Sequence, residues 1–464
     1  MLRTILLCGL VLASVALGNS YANPPPAAAQ ACTPCHGAQG QGGGVFPRIA
    51  GQPREFLQNE LRFFRSGARP SAMMQPVAKD LTDADIVALA GYFSTLRPPF
   101  TPAQVDLSAA ERERGQELVT EGDWQHNVPA CISCHGPDLG GVAPVIPALA
   151  GQSRQYMLTG LRAARSLHGQ ARYYPLQIMS QVSAGLSDAD ITEVTGYIAS
   201  LRQNEQHTMV RPAHDAAYKF TVQSPNSFTP PPESAIPTGP DGDEIWRGRM
   251  IFENTRQYAA QYVGDKLNCS SCHLDNGRRA DSAPMWAAYV AYPKYRSKNH
   301  RVNTLEERIQ DCFRFSMNGK PPPADSPVMV ALVEYFRWLA TGLPVGITPK
   351  GAGYPPLPTP AQPPDVQRGS VIFAANCALC HGDNGEGRVA RSTQVFPPLW
   401  GPESFNRGAG MQRLSTAAAF IKANMPYGAG GMLSDQQARD VAAFVVSHPR
   451  PPDPRLPGGP AAVH

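Results

Sequence analysis

The sequence predicts a mainly α-helical chain of four small domains arranged as two pairs, and three observations carry the prediction. The motif Cys-x-x-Cys-His occurs four times, at residues 32–36, 131–135, 269–273 and 377–381. A helical pattern opened by a Ser or Thr follows each motif, over residues 82–96, 187–201, 326–339 and 434–447. The first two motifs belong to an internal repeat, whereas proline-rich stretches at 203–243 and 344–367 set the other two apart.

Residues 1–22 read as a secretory signal peptide. Arg3 supplies the positive start, residues 5–17 an apolar run, and Ser20, Tyr21 and Ala22 a small-x-small cleavage pattern before Asn23. The run is too short to span a bilayer and no second one follows. The mature protein is therefore expected to be periplasmic, with no membrane span. A net charge of +4 over 464 residues, without an arginine-rich run, gives no reason to expect nucleic acid.

Domain 1 is placed at 23–99 and domain 2 at 100–202. Phe46-Pro-Arg-Ile-Ala-Gly-Gln matches Ile146-Pro-Ala-Leu-Ala-Gly-Gln, and Leu81-Thr-Asp-Ala-Asp-Ile matches Leu186-Ser-Asp-Ala-Asp-Ile. The offset grows from 99 residues at the Cys motif to 105 at the last helix, which puts a six-residue insertion near 171–175. Only nine residues precede Cys32 in the mature chain, so the first helix of domain 1 is short or missing. A linker, 203–243, leads to domain 3 at 244–343. A second, 344–364, leads to domain 4 at 365–450, and 451–464 forms a tail. Both linkers are expected to be extended and semi-rigid. Gly115, Gly248 and Gly369 each sit in a helix upstream of a Cys motif, where a glycine allows close crossing with the domain's last helix.

Two thiols three residues apart lie on one helical face, and the next residue is a His that can meet a metal from one side. Each motif reads as a covalent c-type haem site. The attaching residues are Cys32 and Cys35, Cys131 and Cys134, Cys269 and Cys272, and Cys377 and Cys380, with His36, His135, His273 and His381 as axial ligands. A lone motif can bind zinc or act as a redox dithiol; four in an exported chain favour four haem c groups and class I cytochrome c-like domains. Domains of about 100 residues bury little apolar surface on their own. Each haem is then part of its core, and the apoprotein is expected to fold poorly.

A Met opposite the His raises a haem's potential and a thiolate lowers it. In domain 1, Met73 and Met74 compete. Met74 and Met179 each lie seven residues before the matching Leu81 and Leu186, so the repeat selects Met74 and Met179. In domain 4, Met411 and Met425 compete. Pro426 after Met425 ends a helical stretch and offers the thioether from a loop, which favours Met425. Residues 30–202 resemble dihaem cytochromes of the c4 type in the Cys motif, the Ala-Gly-Gln segment, the Met and the Leu-Ser/Thr-Asp-Ala-Asp run. The resemblance implies an electron carrier with two His/Met haems facing one another about a pseudo-twofold axis.

Cys8 lies in the leader, which leaves Cys312 as the tenth cysteine with no haem to tether. Thr304 and Glu307 form a capping box that opens a helix, and Gly319 is a candidate stop. On that helix Arg308, Cys312 and Ser316 fall at i, i+4 and i+8 on one face, and Leu305, Ile309, Phe313 and Met317 mark a neighbouring apolar face. A helical cysteine is commonly a small buried hydrophobe, or pairs between molecules. Against both, Met317 and Met329 are weak ligand candidates, and an arginine one turn away favours a thiolate. Cys312 and His300 remain rival ligands for the third haem on residues alone.

Residues 244–343 are similar to the catalytic domain of dihaem thiosulfate dehydrogenases. The similarity rests on Cys269-Ser-Ser-Cys-His-Leu-Asp-Asn-Gly-Arg, Tyr292-Pro-Lys-Tyr-Arg, Asn303-Thr-Leu-Glu-Glu-Arg-Ile-Gln-Asp-Cys-Phe and Ser316-Met-Asn-Gly-Lys. Domain 4 adds Phe396-Pro-Pro-Leu-Trp-Gly-Pro-Glu-Ser-Phe-Asn, Gly408-Ala-Gly-Met and Asn424-Met-Pro. The resemblance implies His273/Cys312 ligation of the third haem and oxidative joining of two thiosulfates into tetrathionate. Some relatives carry a lysine before the distal Met; Asn424 stands here, so a Lys/Met exchange is not expected. Thiosulfate is a compact dianion whose sulfonate suits a planar arginine fork. Arg308 is the leading candidate, Arg301 could converge on the helix N-terminus, and Ser316 and Arg296 are weaker ones. Electrons are expected to pass from the third haem through the fourth to the c4-like half, a fused acceptor. From there they go to a soluble or membrane-bound partner such as a high-potential cytochrome, an iron-sulfur protein or a terminal oxidase. Three alternatives stand beside this: a pure carrier without substrate, a sulfur-carrying cytochrome serving another enzyme, and the same site run as a tetrathionate reductase.

Overall fold

The computed structural model describes residues 24–171, 174–202, 211–296 and 299–456. The leader with its Ala22 cleavage site, the start of the first linker and part of the 171–175 insertion lie outside the described residues. The chain is mainly helical, with 47% helix and 5% strand. Its only strands among the described residues are three short two-stranded ribbons.

Each last helix begins where its Ser or Thr predicts. The helices Asp83–Thr95, Asp188–Ala199, Pro327–Leu339 and Asp435–Ser447 are capped by Thr82, Ser187, Ser326 and Ser434, whose hydroxyls accept from a first-turn backbone N–H. That satisfies donors a helix start otherwise leaves open. In units two, three and four an upstream helix packs across the last one: Ala109–Thr120, Pro240–Glu253 and Val366–Asn376. The glycines sit at these crossings. A Cβ on Gly248 would lie 2.0 Å from the Ala331 carbonyl oxygen, one on Gly369 2.0 Å from that of Asp440, and one on Gly115 2.6 Å from that of Glu193. Among the described residues, unit one has only a short 3₁₀ turn, Ala27–Ala31, in place of the upstream helix.

The repeated Ala-Gly-Gln segments join the first two units reciprocally. Gln52 accepts from the Ala148 N–H (2.8 Å) and donates to the Ala148 carbonyl (3.0 Å). Gln152 accepts from the Arg48 N–H (2.7 Å) and donates to the Arg48 carbonyl (3.2 Å). Equivalent residues thus exchange equivalent bonds, a local pseudo-twofold. Both glutamines are buried, so leaving either amide unpaired would cost its full desolvation.

The proline-rich stretches are not free spacers. Glu233 of the first is buried against Arg249, 2.8 Å away, and Arg249, itself 1% exposed, also binds Glu253 at 2.6 Å. Removing one partner of such a buried pair costs about 3–5 kcal/mol, enough to keep the linker docked. The Gly351 and Gly353 carbonyls of the second stretch accept from the Asp281 and Ala283 N–H groups, at 2.7 and 2.8 Å. The helix stop near Gly319 also differs from expectation. Asn318 takes the left-handed conformation (φ 45°), and Gly319 is needed because a Cβ there would lie 2.0 Å from the Tyr262 carbonyl.

The glycine crossings are testable in the haem-loaded protein. Gly248→Ala should lower stability by about 1–3 kcal/mol through overpacking. Gly160→Ala, in a helix with nothing within 4 Å of its Cβ position, should raise it by roughly 0.5–1 kcal/mol. Denaturant midpoints read both.

Candidate active site

The four Cys-x-x-Cys-His motifs have the geometry covalent haem requires. Each closes one helical turn, with the His N–H donating to the first cysteine's carbonyl at 2.9 Å (His36, His135 and His381) or 3.1 Å (His273). Each imidazole Nδ1 meets a backbone carbonyl: Pro47 at 2.8 Å, Pro147 at 2.8 Å, Ala283 at 2.7 Å and Pro397 at 2.9 Å. A carbonyl can only accept, so Nδ1 carries the proton and Nε2 keeps its lone pair for iron. Burial lowers all four His pKa values, that of His273 to about 4, which keeps the rings neutral. All eight cysteines are unbridged, and among the described residues no His, Cys, Asp or Glu cluster completes a zinc set.

Met74 is half-buried, whereas Met73 is 60% exposed. Met179 lies on the helix Tyr174–Ala184. Met425 caps the helix Leu414–Asn424, while Met411 packs on Leu267, Phe315 and Phe405. Met317 and Met329 are core residues of unit three, and His300 sits in an exposed turn. Asn424, 1% exposed, donates to the Asp281 carbonyl at 3.1 Å and so ties unit four to unit three.

The capping box of Thr304 and Glu307 starts the helix Leu305–Asp311, and Leu305, Ile309, Phe313 and Met317 all enter the core of unit three. The helix does not continue as α. Over Cys312–Ser316 it widens to a π-turn, closed by the Met317 N–H donating to the Cys312 carbonyl at 3.0 Å. Such turns disturb the side-chain register and are common at functional sites. Unit four holds this one. Asn406, fully buried, donates to the Arg314 carbonyl (2.9 Å) and the Asn318 side chain (3.2 Å), and its N–H reaches the Phe315 carbonyl (3.1 Å).

Arg308 Nη1 lies 3.0 Å from Cys312 Sγ. The sulfur is the first cause of a raised Arg308 pKa, so the guanidinium stays charged. Cys312 is within electrostatic reach of Cys269 and Cys272, and Arg308 of His273, which puts both beside the third motif. Tyr292 faces the pair, and Tyr354 of the second linker donates to the Cys272 carbonyl at 3.1 Å. Both phenols are pushed up by burial and stay neutral.

A cavity of about 250 Å³ opens beside this pair. Arg296, Arg308, Asp311 and Ser316 line it from unit three, and Gly408, Gly410 and Arg413 from unit four. The π-turn therefore keeps Arg308 and Ser316 at one cavity although the α stripe is broken. Arg296 is held by Asp311 at 2.8 Å. Arg301 does not join them. It pairs across the ribbon with Arg296, but Glu307, one turn before the cavity, draws it away at 3.0 Å, and it stays 60% exposed. Arg413 and Tyr354 escaped sequence reasoning because only the fold brings them here.

Unit two lies on unit four at their Cys motifs. Cys134 and Cys380 share an apolar cluster with Val142, Ile146, Ala390 and Phe396, and Trp124 meets Tyr427 edge-on at 5.2 Å. Asp138 pairs with Arg391, and Asn127 donates to the Gly428 carbonyl at 3.0 Å.

Family models match along most of the chain: "Cytochrome C oxidase, cbb3-type, subunit III" at 21–93, "Cytochrome c" at 112–202 and 366–449, and "SoxA/TsdA, cytochrome c domain" at 255–345. A thiosulfate dehydrogenase of Thiomonas intermedia is 56% identical over 236 residues, 51% of this chain and 75% of that protein. A thiosulfate dehydrogenase electron acceptor of the same organism is 41% identical over 183 residues, 39% of this chain and 82% of that protein. The solved structure of the thiosulfate dehydrogenase TsdBA from Marichromatium purpuratum, in its as-isolated form, superposes with a TM-score of 0.79. It is 41% identical, and the match covers 92% of this chain and 89% of that one.

Asn406→Ala would strip the Arg314 carbonyl and the Asn318 side chain of their partner across the domain boundary, while the backbone bond to the Phe315 carbonyl stays. It should cost about 1–3 kcal/mol in the denaturant midpoint. It should also speed amide exchange over 312–318 more than elsewhere in unit three.

Proposed function

Because the chain belongs to the thiosulfate dehydrogenase family, as a cytochrome c-dependent thiosulfate oxidoreductase with covalent haem c and a fused acceptor-like module, we propose that it joins two thiosulfates into tetrathionate at Cys312. One observation carries the reading: Arg308, 3.0 Å from the Cys312 thiol, lines a small cavity together with Arg296 and Arg413. A pure electron carrier needs no such cavity. At about 250 Å³ it falls below the ~300–1,000 Å³ of drug-sized ligand pockets and suits small anions.

Four haems would be held by the four Cys pairs together with His36 and Met74, His135 and Met179, His273 and Cys312, and His381 and Met425, and when bound they would supply one-electron acceptors in units three and four and in the tandem half. The residues of the chain do the rest. Arg308 and Ser316 bind the sulfonate of the first thiosulfate, which aims its terminal sulfur at Cys312 Sγ. The thiolate and that sulfur form an S–S bond, and two electrons leave. The terminal sulfur of a second thiosulfate then attacks the sulfur attached to Cys312. The new S–S bond completes tetrathionate, and Cys312 departs as thiolate. Arg308 offsets negative charge at each stage. Arg296 supports the site from its pairing with Asp311.

Fusion keeps the acceptor half at high effective concentration. The close packing of Cys134 and Cys380 supports unit two as the point of transfer between the halves. We place the mature protein in the periplasm, handing electrons to a separate redox partner. No helix among the described residues is long and apolar enough to cross a membrane.

The test mixes oxidised protein with thiosulfate, follows haem absorbance and assays tetrathionate. The parent should reduce its haems and release one tetrathionate per two electrons. Cys312→Ala should lose on the order of 10²-fold or more in rate. A parent protein that thiosulfate does not reduce would leave it a carrier, and a Cys312→Ala protein at full rate would sink the role of the thiol.

A further inference from the structure

Tetrathionate carries a sulfonate at each end, so a site that makes it must hold two anions at once. Of the three arginines at the cavity, two are committed. Arg308 is held by Cys312 Sγ at 3.0 Å and Arg296 by Asp311 at 2.8 Å. The Arg413 guanidinium has no hydrogen-bond or ion-pair partner among the described residues, yet it lines the same cavity. It belongs to unit four, whose backbone is fixed there by the Arg413 N–H on the Gly410 carbonyl at 3.1 Å. A Cβ on Gly410 would meet no atom within 4 Å, so this wall is open to a ligand.

We propose that Arg413 is the second sulfonate site: it receives the second thiosulfate and later holds the far end of tetrathionate. This rests on the reading of Cys312 as the place of S–S formation and adds its second subsite. A planar, always-charged fork with no internal partner is suited to an oxyanion that must arrive and leave. It also offsets repulsion between two dianions brought into one small cavity. Because Arg308 and Arg413 come from different units, the subsite pair exists only while units three and four are docked. Unit four then takes part in substrate binding as well as electron uptake.

Binding without turnover tests this apart from the chemistry. Labelled thiosulfate is titrated into oxidised, haem-loaded Cys312→Ala protein by equilibrium dialysis. Two thiosulfates should bind per chain, and adding Arg413→Gln should leave one, with the second weakened about tenfold or more. In the Cys312 protein, Arg413→Gln should raise the thiosulfate KM about tenfold with kcat within about threefold. Arg413→Lys should recover part of the loss. Haem spectra should not change, since the Arg413 side chain supports nothing else. Two sites of unchanged affinity in the Arg413→Gln protein, or a single site in its parent, would overturn the subsite while leaving tetrathionate formation intact. Two arginine-dependent sites in a protein that makes no tetrathionate would uphold the subsite and remove the reaction assigned to it.

Discussion

The site depends on a change of register at Cys312. Up to Cys312 the backbone N–H groups bond as in an α-helix; at Met317 the N–H reaches five residues back, to the Cys312 carbonyl. A π-turn is a poor helix on its own and persists where neighbours hold it. Here Asn406 does so from another unit by capturing the Arg314 and Phe315 carbonyls. The thiol, Arg308 and Ser316 are therefore set by packing between units, and neither unit contains the whole cavity.

The same economy recurs along the chain. The tandem half is joined by an exchange of bonds between repeated glutamines, the first linker by the buried Arg249–Glu233 pair, and the second by carbonyls laid along residues 281–283. Units two and four meet at their cysteines. An electron carrier is useful only if its groups approach closely, and the contact between units two and four falls at their Cys motifs. The first unit differs: its Cys35 is exposed.

What could be read in the sequence was local. The capping residues Thr82, Ser187, Thr304, Ser326 and Ser434 act within one turn, and Gly115, Gly248 and Gly369 sit in a spacing that repeats. The apolar stripe from Leu305 to Met317 was legible for the same reason. What escaped was long-range or depended on register. Ser316 was placed by counting an α-helix that ends five residues earlier, and it lines the cavity from the end of the π-turn that takes over. Arg301 looked convergent because it precedes the helix, but Glu307 competes for it at closer range. Asn406, Arg413 and Tyr354 carry no local pattern; they matter because three segments fold onto one another. Gln52 and Gln152 were visible as a repeat, but their role was not, since it lies in the contact between copies.

The central claim is that the Cys312 sulfur accepts a thiosulfate sulfur in this cavity. The second bond-forming step run backwards needs no electrons: the thiolate attacks tetrathionate, keeps one half and frees one thiosulfate. Oxidised protein should therefore be treated with tetrathionate without any reductant, then quenched and examined by peptide mass spectrometry. The account predicts one thiosulfate released per chain and an added S₂O₃ group on the peptide bearing Cys312. An unmodified Cys312 with no thiosulfate released, in protein that still turns over thiosulfate, would contradict it.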